Sequence, residues 1–212
     1  MDRRRIVEED GVVAVVRLDD LSDAVAIAQA LLEGGVRAVE FTFTNRRAAD
    51  AIGIVRDAVG DAGFIGAGTV LDPETARVAI LAGAEYVVTP TFKAETVQLC
   101  NRYGIPTVIG ALTPTEILTA WEAGASYVKV HPASLGGPKY FKDVLGPMPQ
   151  VKLVPSGGVT FDNVAEFVRA GAVAVALGSN LVDAKTVGTG DWSTITERAR
   201  TLRGLVRMAR ER

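Results

Sequence analysis

Eight short apolar, β-branched runs punctuate the chain: GVVAVVR (11–17), AVEFTF (38–43), FIGAG (64–68), YVVTP (86–90), TVIGA (107–111), YVKVHP (127–132), VKLVP (151–155) and VAVALG (173–178). Continuous apolarity over a few residues marks strands covered on both faces, as parallel sheets require, whereas a half-solvated strand would alternate. Between the runs, apolar positions follow helical spacing. LSDAVAIAQALLEGG (21–35) opens on Ser22 as a cap signal and closes on Gly34–Gly35. Segment 72–82 carries Pro73 in its first turn, and 113–123 opens on Thr-Pro-Thr-Glu, a capping box. Strand and helix are therefore expected to alternate eight times.

A weak internal repeat has the same period. A glycine ends the helix just before the strand in GGVRAVEF, AGAEYVVT, AGASYVKV and AGAVAVAL. With Gly63, Gly104 and Gly146 included, these glycines stand 20 to 28 residues apart from Gly35 onward. About 26 residues per unit is one short strand, one helix of about three turns and two tight loops. A doubly wound sheet usually stops at five or six strands. Eight units with nothing left over predict an α/β fold, a single (β/α)8 TIM barrel spanning 1–212 with no linker.

Composition narrows the function. Apolar residues at 48% and charged residues at 23% exclude a disordered chain. The formal net charge of -2 leaves no basic footprint for nucleic acid or an anionic membrane surface. One histidine, His131, and one cysteine, Cys100, exclude multi-His sites, thiolate metal sites and an internal disulfide. The start, MDRRRIVEEDG, is charged and lacks an apolar signal core, and no run reaches the length of a membrane span. These features lead us to expect a soluble protein of a reducing cytoplasm.

In such a barrel the working residues sit at the C-terminal ends of strands. Period-2 alternation in YVKVHP puts Tyr127, Lys129 and His131 on one face, and Val128 and Val130 on the face that suits the outer helices. Lys129 then points into the barrel, where it is either held by an ion pair or is a neutral amine able to attack a carbonyl. Lys152, at the start of its strand, has no such prospect. Glu40 shares an interior face with Ala38 and Thr42, and is either the partner of Lys129 or a general base with a raised pKa. The two together are the minimum set for Schiff-base carbon–carbon chemistry. The turns Ser156-Gly157-Gly158 and Gly178-Ser179 follow strands seven and eight, where bare backbone N–H groups can cradle phosphate or another anion. Thr69, after Gly66-Ala67-Gly68, can donate to a carboxylate or hydroxyl, or else cap the helix that begins at Asp72. Arg17, the one cation at the end of strand one, is either a bidentate carboxylate grip or a solvated arginine. His131, Cys100, Trp121 and Trp192 read as packing, and the arginines of 201–212 as a solvated face.

In order and spacing, GVVAVVR, GGVRAVEFTFT, IGAGTVLDP, AEYVVTP, LTPTE, YVKVHPA, GGPKYFK, PSGGVTFDNV and ALGSNLV resemble the 2-keto-3-deoxy-6-phosphogluconate/4-hydroxy-2-oxoglutarate aldolases, including the 6-phosphogalactonate enzymes. The resemblance runs from about Ile6 to the last helix. It implies a metal-independent class I aldolase on a (β/α)8 barrel, assembled as a homotrimer, that splits a 2-keto-3-deoxy-6-phospho sugar acid into pyruvate and glyceraldehyde 3-phosphate. By position, it makes Lys129 the Schiff-base lysine and Glu40 the general acid/base. Thr69 and Arg17 then hold the pyruvyl carboxylate end, and Gly157, Gly158, Gly178 and Ser179 line the phosphate site. The chain departs from the pattern at Thr44, where the phosphogluconate enzymes often carry an arginine, at His131-Pro132 in place of Phe-Pro, and at Ile109-Gly110 in place of Pro-Gly. A relative acting on unphosphorylated 4-hydroxy-2-keto acids, a phosphosugar isomerase or epimerase using Glu40 as base, and a non-catalytic scaffold are the competing readings.

Overall fold

The computed structural model describes residues 3–211, so Met1, Asp2 and Arg212 of the expected 1–212 unit lie outside the described residues. Eight strands follow the eight runs: β1 (Val12–Val16), β2 (Ala38–Thr42), β3 (Phe64–Gly68), β4 (Tyr86–Val88), β5 (Thr107–Ala111), β6 (Tyr127–Val130), β7 (Leu153–Pro155) and β8 (Val175–Leu177). All pair in parallel, in the order β7-β6-β5-β4-β3-β2-β1-β8. An isolated bridge between Ser156 and Ala176 joins the two ends, so the sheet closes as a barrel. Several strands are shorter than their apolar runs. Arg17, Thr89-Pro90 and His131-Pro132 belong to the loops at the C-terminal mouth.

The helices described are α1 (Ile6–Asp10), α2 (Ala24–Glu33), α3 (Ala48–Val59), α4 (Pro73–Leu81), α5 (Ala94–Arg102), α6 (Pro114–Glu122), α7 (Gly137–Leu145), α8 (Val164–Arg169), α9 (Ala184–Gly188) and α10 (Trp192–Arg210). Their starts follow local chemistry. Asp72 accepts a hydrogen bond from the Thr75 N–H ahead of Pro73, and Thr113 with Glu116 forms the capping box of α6. Ser22 does not cap α2. The helix begins two residues later behind Asp23, and the Ser22 N–H donates to Asp20 Oδ1 at 2.9 Å, in a turn ahead of it. The repeat glycines Gly35, Gly83, Gly124 and Gly171 all have φ between 85° and 101°, a backbone that a side chain would strain, which is why the repeat is written in glycine. Gly63 and Gly146 have negative φ and only mark the spacing.

Two apolar layers result. Val39, Phe41, Val128 and Val130 face the helices, while Val13, Val15, Ala38, Phe64, Tyr86, Val88, Val108 and Val154 fill the barrel. Ile6 and Val7 of α1 join the inner layer, plugging the N-terminal end. Cys100 is buried in α5, its thiol pushed up to about 11 by burial, and Trp121 and Trp192 pack against the outer layer. The basic face of α10 is only partly solvated. Arg203 donates to the carbonyls of Glu9 and Asp10, and Arg210 to those of Glu8, Glu9 and Val173. The two arginines thus serve the open C-terminal carbonyls of α1, a task invisible in the spacing of the helix itself. Among the described residues no helix is long and apolar enough to cross a membrane.

Candidate active site

Glu40 and Lys129 both lie inside the barrel, 1% and 5% exposed. Glu40 is level with Val15 of β1 and Gly66 of β3, and Lys129 with Gly110 of β5 and Val154 of β7. A glycine flanks each of them, keeping the axis around both charges open. Gly68 adds to this. A Cβ there would lie 2.7 Å from Glu40 Oε1, so the carboxylate occupies space that any other residue would fill.

Neither carboxylate oxygen of Glu40 has a hydrogen-bond partner. Burial raises its carboxyl above the usual range, against the pull of Lys129 and Arg17. Burial likewise lowers the Lys129 ammonium, opposed by Glu40 and reinforced by Arg17. The two groups sense each other's field without forming an ion pair, so each is pushed toward its neutral form. That is the arrangement in which an amine can attack and a carboxyl can exchange protons at neutral pH.

The mouth above them holds a cavity of about 250 Å³, lined by Arg17, His131, Ser156, Gly157, Gly158, Gly178, Ser179 and Asn180 among others. Gly157 and Gly158 turn left-handed, with φ of 78° and 87°, and a Cβ on Gly158 would lie 2.5 Å from the Ser134 side chain. Exposed backbone amides of two neighbouring loops, with Arg17 beside them, suit an anion. Asn180 Nδ2 donates to the Val159 carbonyl at 3.1 Å and ties the loop after β8 to the loop after β7.

Thr69 stands apart from that cavity, half-buried at the end of β3. It is the one non-glycine residue with positive φ, 56°, among the described residues. A β-branched residue held there carries roughly 1–3 kcal/mol of strain, a pattern that concentrates at working sites. The cap of α4 is Asp72, so Thr69 does not cap it.

His131 does more than pack. It lines the cavity, and its Nδ1 lies 3.2 Å from the Ser156 carbonyl. A carbonyl only accepts, so Nδ1 carries the proton. Burial and the Lys129 charge lower its pKa against that hydrogen bond, which leaves Nε2 as an acceptor in the neutral ring. Asn180 was not singled out by sequence reasoning, although it sits beside a glycine turn that was, and Ser156 entered only as the first residue of such a turn. At Thr44, the hydroxyl is 2.8 Å from that of Thr42, while Arg46 and Arg47 are exposed. Gly110 donates to Thr89 Oγ1 at 3.0 Å, and the Pro90 backbone leaves no room for a Cβ on it.

A closed parallel barrel with an unpaired amine and carboxylate at its axis, below an anion-sized cavity, has the build of a class I aldolase. Sequence comparison gives the family. The chain belongs to the KDPG and KHG aldolase family, whose model matches residues 4–198. A 2-dehydro-3-deoxy-phosphogluconate aldolase of Treponema pallidum is 40% identical over 191 residues, 90% of each chain. Among solved structures, one described as native KDPGal superposes with a TM-score of 0.89 at 31% identity, over 95% of this chain and 96% of that one. The KDPG aldolase of Legionella pneumophila, solved with pyruvate captured at low pH as a covalent carbinolamine intermediate, superposes with a TM-score of 0.88 at 28% identity, over 95% and 98%.

Proposed function

We propose that the chain, taken as one catalytic unit over 1–212, reversibly cleaves a 2-keto-3-deoxy-6-phospho sugar acid of the phosphogluconate or phosphogalactonate type. The products are pyruvate and glyceraldehyde 3-phosphate. The observation that carries this reading is the burial of Glu40 and Lys129 at one axis with no ion pair between them. The neutral Lys129 amine adds to the C2 carbonyl of the substrate, and loss of water leaves an iminium. Glu40 takes the proton of the C4 hydroxyl. The C3–C4 bond breaks, its electron pair runs into the iminium, and the aldehyde leaves. Glu40 then returns a proton to C3 of the enamine, and water releases pyruvate from Lys129. Arg17 and Thr69 hold the carboxylate end. Gly157, Gly158, Gly178 and Ser179 take the phosphate, which the cavity's exposed amides support over an unphosphorylated acid. No cofactor or metal enters these steps.

The assembly we propose is a homotrimer in a reducing cytoplasm. Ile54, Leu71, Val78 and Leu81, on and beside α3 and α4, are exposed apolar side chains of the kind a subunit contact covers. Light scattering should report a species near three times 22.3 kDa, and a monomer would refute the trimer.

Trapping tests the chemistry. Pyruvate with borohydride should leave one reduced pyruvyl group, on Lys129, with the other five lysines unmodified. An isomerase using Glu40 alone would give no adduct, and neither would a scaffold.

A further inference from the structure

One buried ionisable group close to Glu40 has no part in the steps above. Tyr86 opens β4 and is 1% exposed, and its hydroxyl has no hydrogen-bond partner. Among the described residues, the other fully buried side-chain atoms of the barrel interior without a hydrogen-bond partner are the two carboxylate oxygens of Glu40. The register brings the two residues toward each other. Glu40 pairs with Gly66, and Gly66 pairs with Tyr86, so only a residue without a side chain separates them.

The ring fills the space that Gly66 leaves. A Cβ on Gly66 would lie 2.5 Å from Tyr86 Cζ, the carbon that bears the hydroxyl. The ring therefore crosses the β3 position on the side where Glu40 stands. Phe64, stacked at 4.8 Å between centroids and 16° between planes, holds the ring in that place. A hydrophobic core needs none of this oxygen, and burying a hydroxyl without a partner is costly. A phenol donor and a carboxylate acceptor, both unpartnered and with one glycine position of β3 between them, can satisfy each other through one bridging water or a small ring movement.

We propose that Tyr86 is a positioning residue for Glu40: its hydroxyl donates to the carboxylate, directly or through one water, and holds it ionised and oriented between proton transfers. This rests on the reading of Glu40 as the proton shuttle. Burial and the Glu40 charge keep the phenol protonated far beyond the working pH, so it acts only as a donor. The other charged groups facing Glu40 are Lys129 on β6 and Arg17 beyond β1, and His131 faces those two from the mouth.

The test is Tyr86→Phe, which keeps the ring, the Phe64 stack and the packing. Exchange of the pyruvate methyl protons in D2O, followed by NMR, reads Glu40, while borohydride trapping of pyruvate reads Lys129. Without the donor, the ionised carboxylate loses support and the acid limb of exchange should move up by about one pH unit. On the acid side that is an approximately tenfold loss of rate. The pH dependence of trapping should stay in place. Phe64→Leu, which loosens the stack and leaves the hydroxyl, should lower the melting temperature and move the limb less than Tyr86→Phe does. An acid limb unmoved in folded Tyr86→Phe overturns the proposal. If even the wild-type chain traps no pyruvate, the aldolase reading fails instead. Should Tyr86→Phe not fold, 3-fluorotyrosine at position 86 replaces it. Its stronger donor should shift the limb to lower pH, and no shift overturns the proposal equally.

Discussion

Buried charge is handled in opposite ways at the two ends of the barrel. At the N-terminal end, among the described residues, every buried or half-buried carboxylate is met. Asp10, 1% exposed, accepts from the Arg37 backbone N–H at 2.9 Å and from its guanidinium at 2.7 Å, with Arg203 at 3.6 Å. Glu8 takes Lys152 at 2.7 Å and the Tyr127 hydroxyl at 3.0 Å, and Glu85 takes Arg3 and Arg56. Toward the C-terminal mouth, Glu40 and Lys129 are buried as well and are left unpaired. Lys152 and Lys129 make the contrast within one residue type: the first is half-buried and ion-paired, the second buried and not. Pairing secures a fold, whereas an unpaired buried amine or carboxyl keeps its pKa displaced and its lone pairs free for a substrate. The fold is held at one end and the reactive groups are exposed to each other at the other.

The largest break in that comparison is in activity. Lys129→Arg keeps the charge and has no deprotonatable amine at neutral pH, so cleavage should fall by several orders of magnitude in a folded protein. Lys152→Arg should cleave at nearly the wild-type rate. Retro-aldol assays on the two purified variants check this, and equal losses would erase the distinction between the ends.

Stability gives the next effect, with the signs reversed. Asp10→Asn strips the charge that two half-buried arginines share and should destabilise by about 1–3 kcal/mol in urea melts. Glu40→Gln removes an unpaired buried carboxylate and should leave stability unchanged or raised, while methyl-proton exchange falls about 10²–10⁴-fold. A strongly destabilised Glu40→Gln would mean that Glu40 is a structural partner after all.

The smallest effect is the pH dependence of stability. Burial works to raise the Glu8 carboxyl, but hydrogen bonds from Lys152 and Tyr127 outweigh it and leave it below 4.5. Its contribution is present above 4.5 and is lost as the pH falls through the lowered value. Glu40 is raised above 4.5, so its contribution runs the other way, present below 4.5 and lost as the pH climbs through the raised value. Acid should therefore loosen the N-terminal end while relieving the axis. In Glu8→Gln, thermal midpoints measured from neutral pH downward should fall less steeply than in the wild type.

Much of this was legible in the sequence, for reasons of periodicity. Eight doubly covered strands and their intervening helices show as apolar runs and helical spacing, and period 2 alone puts Glu40 and Lys129 inside once Val39, Phe41, Val128 and Val130 are assigned to the helices. Where the reading failed, a local signal was overruled by a longer-range one. Ser22 has the chemistry of a cap but sits in a turn around Asp20, and the arginines of α10 find their partners about 200 residues away, in α1. Thr69 carries no mark in the sequence of its left-handed backbone.

What the sequence by itself determined is which residue types stand on which face, because alternation along a strand is a property of the strand alone. Only the tertiary structure decided which faces meet. The register that sets Glu40 against Gly66 and Gly66 against Tyr86, the closure that brings the loops after β7 and β8 around one cavity, and the absence of a partner for Glu40 all depend on how separate strands align. Pairing between strands is a relation among distant segments, and no single run of residues encodes it.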